Sequence, residues 1–432
     1  MGLAIGPMPE RRDAAPASPR LGERAILRFG IALTGAFLLA SAVTGVIPLG
    51  GLHGWVATHL ALAGAATVAI GTFMPHFGVT LAGTRPEPGW LRLTGVLTLA
   101  AGMAGVALAR PLLGPVAAGA AGLVVMVGIA VTAWTTFAPM RAGLARRHPI
   151  VQVTYGVALA DLAVGATLAV LFLLGWAPIA GAWTALKPAH AWLNVFGFVS
   201  LTVAGTLVYL YPTMLGARIR PQAAMGAALV GLLLGPPLAA AGYATALAPL
   251  AVAGAGTTLT GAAGLLWYGL DTWRRRGSWT RDLAWHDLTA RHGLAAQAWF
   301  VAAVTAALGS ILVDGVVMPS WTLGLLGVPV IGGWVAQVLV AAWTYLLPAV
   351  GPGDMALKAR QRQALAAGGR ARVVAWNAGL LLLWPGLATA SWLLIAPGTL
   401  LFGIAALSSL GLLARALMMS LGVRDAALSP RS

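Results

Sequence analysis

Twelve apolar runs, each about 20 residues or longer, limit what this chain can fold into, because that length lets a helix cross the hydrocarbon core of a bilayer. They lie near residues 26–48, 55–81, 92–113, 115–138, 151–176, 189–214, 222–243, 246–269, 294–317, 324–349, 373–396 and 398–421. Lipid offers no water to the backbone, so a spanning segment must satisfy its own N–H and C=O groups or close into a barrel. Barrel strands are about ten residues long and alternate in polarity. These runs are longer and continuously apolar, so they predict helices. The expected fold class is an all-α integral membrane protein. Composition agrees, since 59% of the residues are hydrophobic and 9% are charged, where a soluble domain carries about 25% charged residues. The 56 glycines do not oppose helices here, because small residues let membrane helices approach closely.

The net charge of +16 invites a nucleic-acid reading, and the placement of the charges removes it. Arginine and lysine fall in alternate loops. One side holds Arg11, Arg12, Arg20 and Arg24, then Arg85 and Arg92, Arg141 to Arg147, Arg218 and Arg220, Arg274 to Arg291, Lys358 to Arg372, and Arg424. The other holds little beyond Arg110 and Lys187. This is the positive-inside pattern. It predicts both termini cytoplasmic and the basic excess near anionic headgroups. The expected organisation is a disordered cytoplasmic leader over 1–25, one polytopic domain over 26–421 and a cytoplasmic tail over 422–432. The longest loop, about 270–293, has room for one amphipathic surface helix. No cysteine is present. Disulfides, iron–sulfur clusters, thioether-linked haem and thiolate copper sites are therefore excluded. No phosphate-binding loop, dinucleotide fingerprint, zinc-protease motif or serine elbow occurs.

The second, sixth and tenth runs resemble one another. Each has small residues mid-span, an aromatic stretch and then a proline, at Pro75, Pro212 and Pro348, spaced by 137 and 136 residues. Gly71-Thr72 matches Gly205-Thr206. The agreement predicts three pseudo-repeats of four helices, over about 26–138, 151–269 and 294–421.

Three sets of four helices with cytoplasmic termini is the architecture of the haem–copper oxidase large subunit (subunit I). The segment from Lys187 to Phe198, with His190, Asn194 and Phe196-Gly197-Phe198, resembles the His-bearing helix start of that superfamily, including the NnrS family. Three segments are similar to the membrane half of actinobacterial multicopper oxidase and copper nitrite reductase-like fusion proteins. They are Thr58 to Gly64, His190 to Gly216, and Gln337 to Pro348. The resemblance implies respiratory or nitrogen-oxide redox metabolism, a b-type haem or, less so, copper, and electron transfer to a periplasmic cupredoxin, multicopper oxidase or nitrite reductase. Those fusions carry a cupredoxin domain after the membrane part. None lies within these 432 residues, so a separate copper protein is the expected partner. The oxidases also need a cluster of histidines on late helices. The seventh to twelfth runs contain none, so the oxygen-reducing centre is not expected in this chain.

Seven histidines remain to be placed. His148, His286 and His292 read as loop residues, and His76 as interfacial. His53, His59 and His190 fall near the extracytoplasmic side. His59 and His190 occupy comparable depths in their repeats and are the candidate haem or metal ligands. His53, in LGGLHGW, reads as a loop and is the weakest of the three. Asp161 is the one acid deep within a run, and Gln297 lies 136 residues on. With Asn194, Gln337 and Asp314 they could line a proton path, or simply bond neighbouring helices. Many tryptophans, among them Trp90, Trp176, Trp192 and Trp285, fall near predicted interfaces and suit an aromatic belt. Two other readings stay open. One is a transporter with a midplane polar site around Asp161, and the other is a cofactor-free scaffold whose metal ligands have been lost.

Overall fold

The computed structural model describes residues 22–47, 52–142, 149–220, 222–278, 284–318, 320–350 and 354–428. Most of the expected leader and His148 lie outside these residues. Among the described residues, twelve helices are long and apolar enough to cross a membrane. Spans 1 to 4 are Glu23–Gly45, Gly54–Ala82, Gly89–Leu112 and Pro115–Arg141. Spans 5 to 8 are Ile150–Leu173, Trp183–Met214, Ala223–Ala244 and Ala248–Arg274. Spans 9 to 12 are Ala284–Asp314, Gly324–Val350, Gly369–Thr389 and Trp392–Ser420. No strand occurs among the described residues. The protein is an all-α, multi-pass membrane protein.

Several boundaries differ from the sequence reading. Helix begins at Glu23, inside the expected leader, and the last helix runs to Leu428, inside the expected tail. The segment read as the loop LGGLHGW is already helical from His53. The largest correction is span 9, which starts at Ala284 rather than near 294. Its first turns replace the C-terminal part of the expected surface helix. The one buried acid there is compensated: the Asp287 carboxylate meets Arg291 at 2.8 Å, Arg370 at 3.5 Å and Arg276 at 3.7 Å. A buried charge is tolerated when opposite charges surround it.

Spans 2, 6 and 10 form the interior. About 72%, 72% and 61% of an apolar 18-residue stretch in each is buried, against 28% and 17% for spans 11 and 12. All three contain a π-helical segment, at His59–Ala66, Trp192–Ser200 and Val328–Val335. All three carry a proline further along the helix, Pro75, Pro212 and Pro348. A π segment closes i→i+5 bonds and often marks a functional place in a helix. Side chains use the loosened ladder: Thr67 Oγ1 donates to the Leu62 carbonyl, and Ser200 Oγ donates to Val195 O at 2.8 Å.

The outer hairpins are held by close backbone approach. Between spans 7 and 8, a Cβ at Gly254 would lie against the backbone of Ala239, and one at Gly231 against that of Gly261. Only glycine permits that contact, the small-residue packing expected of helices in lipid. Aromatic side chains fasten the interior spans. The Trp334 ring stacks on Phe300 at 4.5 Å and its Nε1 donates to Ser200 Oγ at 3.1 Å, tying spans 10, 9 and 6. Tyr211 donates to the Ala290 carbonyl and Tyr268 to the Val208 carbonyl. Buried Tyr and Trp find such partners because each carries one polar atom on an apolar body. Trp285 and Trp192 belong here too. Both are buried, and Trp285 donates Nε1 to Thr344 O at 2.6 Å. Trp90 and Trp176 are exposed, as a belt requires.

Candidate functional site

His59 and His190 stand near the arginine-poor face, on two of the three interior spans. Each ring is held at one nitrogen. His59 Nδ1 lies 2.7 Å from the Trp55 carbonyl, one turn back on its own helix, and its ring packs on Trp55 at 4.0 Å. His190 Nδ1 lies 2.8 Å from the Gly165 carbonyl of span 5. A carbonyl oxygen only accepts, so both contacts put the proton on Nδ1. Nε2 is then the lone-pair nitrogen, and neither Nε2 makes a hydrogen bond among the described residues. His59 lies within electrostatic range of His190 and Arg110. Arg110 in turn sits over the Trp55 ring at 5.6 Å. The backbone of His53 opens the helix one and a half turns before His59.

An imidazole with Nδ1–H bound to a carbonyl and a free Nε2 is the usual preparation for a ligating histidine. The number of donors decides what it suits. Among the described residues no group of three or more His, Asp or Glu is placed to hold a metal ion. Two imidazoles underfill a bare divalent ion, which takes four or more ligands. A haem iron draws four ligands from its porphyrin, so two imidazoles are what it would need from the chain, and His59 and His190 are the residues that would hold it. The donor set therefore fits haem better than copper, and Arg110 gives the same face a cation suited to an acidic substituent.

A second polar cluster lies beside His190, between spans 5 and 6. Asn194 donates through Nδ2 to the His190 carbonyl at 2.8 Å, and the same nitrogen is 3.0 Å from His190 Nδ1. Its amide packs where a Cβ on Gly165 would stand, and the Asp161 carboxyl packs where one on Gly197 would stand. Asp161 is 6% exposed. Asp161 Oδ2 and Asn194 Oδ1 are both buried without a hydrogen-bond partner.

The other expected path residues are not part of this cluster. Gln337 is fully buried and bonds His292 Nδ1 and Asn377. Gln297 donates to the Gly293 carbonyl at 2.9 Å and packs its Oε1 on Gly269. Asp314 ends span 9 at the arginine-poor face. His286 and His292, read as loop residues, are instead buried in span 9. The expectation that the late spans carry no embedded histidine is thereby corrected. His292 is 0% exposed, and its Nε2 has no partner. Its position was hinted at by spacing: Trp285, Leu288, His292, Ala296 and Trp299 recur every three or four residues and lead into the apolar run. His76 bonds Glu23 at 2.7 Å, as an end-of-span residue.

No protein-family model matches the chain, and no curated protein matches it either.

Proposed function

We propose that the protein is a haem-binding redox protein of the haem–copper oxidase-like kind, in a bacterial cytoplasmic membrane with both termini inside. His59 and His190 hold a b-type haem near the extracytoplasmic face. The observation that carries this reading is the pair of imidazoles on spans 2 and 6, each with Nδ1 held by a carbonyl and Nε2 left free. The recurrence of a π segment and a following proline in spans 2, 6 and 10 supports three related sets of helices. Haem would supply one-electron chemistry. The chain's part is to orient two neutral imidazoles, to place Arg110 beside them, and to seal the site from the other side with the aromatic interior around Trp334. A separate periplasmic copper protein is the proposed electron partner.

The test is a reduced-minus-oxidised absorption spectrum of the purified protein, with haem extracted and quantified. The reading expects a Soret band that His59→Ala and His190→Ala each abolish or shift. A stable, folded parent protein without pigment or bound metal would leave the cofactor-free scaffold in its place.

A further inference from the structure

Two orphaned acceptors share the seam between spans 5 and 6. Asp161 lies on span 5 and Asn194 on span 6, and each packs on a glycine of the opposite helix, Gly197 and Gly165. The two contacts are one helical turn apart, a rise of roughly 5 Å. Asp161 Oδ2 and Asn194 Oδ1 both accept and neither has a donor. The orientation of Asn194 is set, because its Nδ2 is committed to the His190 carbonyl. No ion pair among the described residues involves Asp161. An unpaired carboxylate at this depth costs several kcal/mol. A single proton on the carboxyl removes that charge and turns one of the two acceptors into a donor. A hard cation would need six or more oxygens, and among the described residues the unpartnered side-chain oxygens placed at these two glycines are Asp161 Oδ2 and Asn194 Oδ1.

We propose that Asp161 and Asn194 form a proton-binding station within the membrane, with the proton on the Asp161 carboxyl donated toward Asn194 Oδ1, directly or through one ordered water. The polar route out of the station leads toward the arginine-poor face. Asn194 is half-buried and touches His190, which is half-buried as well. On the other side hydroxyls continue along span 6 at helical spacing: Thr202, then Thr206, which bonds the fully buried Tyr155 at 2.8 Å. The station exchanges its proton with water on the arginine-poor side, past the half-buried Asn194, whose amide oxygen accepts the hydrogen bond without taking the proton. It does not depend on a cofactor at His190. If the haem reading holds as well, Asn194 links the carboxyl to that ligand.

The experiment is infrared difference spectroscopy of the full chain in lipid nanodiscs at neutral pH, in H2O and in D2O. The proposal expects a protonated-carboxyl C=O band that shifts on deuteration, disappears in Asp161→Asn and persists in Asp314→Asn. Asn194→Leu should move that band to higher frequency, because the C=O and O–H lose a polar neighbour. Absence of the band in the parent would overturn the proposal. So would its replacement by a sodium-dependent carboxylate band, or a band that neither exchanges nor responds to Asn194→Leu. None of these readings needs pigment, so a colourless protein would defeat the haem reading and leave this one standing.

Discussion

His292 Nδ1 lies 3.0 Å from Gln337 Oε1, and an indole on span 9 fixes the direction of that hydrogen bond. The Nε1–H of Trp299 can only donate, so the atom of Asn377 facing it at 2.8 Å is oxygen. The Asn377 nitrogen then faces the Val373 carbonyl and Gln337 Oε1. Gln337 sends its own nitrogen to the Gly333 carbonyl and Asn377 Oδ1. Its oxygen is left for His292, which must bear hydrogen on Nδ1. One donor-only group thus orients two amides and an imidazole across spans 9, 10 and 11.

That ordering predicts unequal costs for two substitutions. Gln337→Leu strands the buried His292 N–H and removes two bonds to Asn377. It should destabilise the protein by about 1–2 kcal/mol, the upper range for hydrogen bonds between membrane helices. His292→Leu leaves Gln337 Oε1 still paired with Asn377 and also removes the unpartnered Nε2. It should cost less. Thermal unfolding of both variants in one detergent gives the order, and a lower midpoint for His292→Leu would refute the network as drawn.

This network also marks where the sequence stopped being informative. The spans were legible because length and hydropathy in lipid leave the backbone few alternatives. His59, His190 and Asp161 were legible because a polar group in an apolar run stands out. His292 was hidden by its neighbours. The charged stretch around Arg274, Asp287 and Arg291 lowers local hydropathy and reads as loop. In the fold Arg276, Arg291 and Arg370 surround the buried Asp287 carboxylate, so the helix starts early and carries His292 inside. The partners of Gln337 and Asn377 were not legible at all, because the bonds join side chains 40 and 45 residues apart on separate helices, with no local pattern to mark them. The π segments were equally silent, since they change hydrogen-bond register without changing composition.

The hairpin of spans 7 and 8 offers a test with its own control. A methyl at Gly254 would press on the backbone of Ala239, which cannot swing aside as a side chain can. A methyl at Gly256, two residues on, meets nothing within 4 Å. Overpacking of this kind costs about 1–3 kcal/mol. Gly254→Ala should therefore lower the unfolding midpoint and Gly256→Ala should not. Equal behaviour of the two would mean that spans 7 and 8 do not approach at Gly254.

Carbon monoxide distinguishes a two-histidine haem from other pigments. If His59 and His190 both hold a haem iron, the reduced parent should bind the gas poorly. His59→Ala opens one position and should yield a carbon monoxide difference spectrum, and His190→Ala should do the same. His53→Ala should behave as the parent, because His59 and His190 already account for both positions. Full carbon monoxide binding by the parent would show that one of the two imidazoles is not a ligand.

Orientation can be read without altering the background, because the chain contains no cysteine. Single cysteines therefore report their own accessibility. Leu113 is 76% exposed in the short turn between spans 3 and 4, on the arginine-poor face. Arg85 lies between spans 2 and 3, on the arginine-rich face. Retention of basic loops on the cytoplasmic side predicts that Leu113→Cys reacts with a membrane-impermeant maleimide added to intact cells. Arg85→Cys should react only after the membrane is opened. The opposite pattern would place His59 and His190 toward the cytoplasm, and an electron partner on the outer side would then have no access to them.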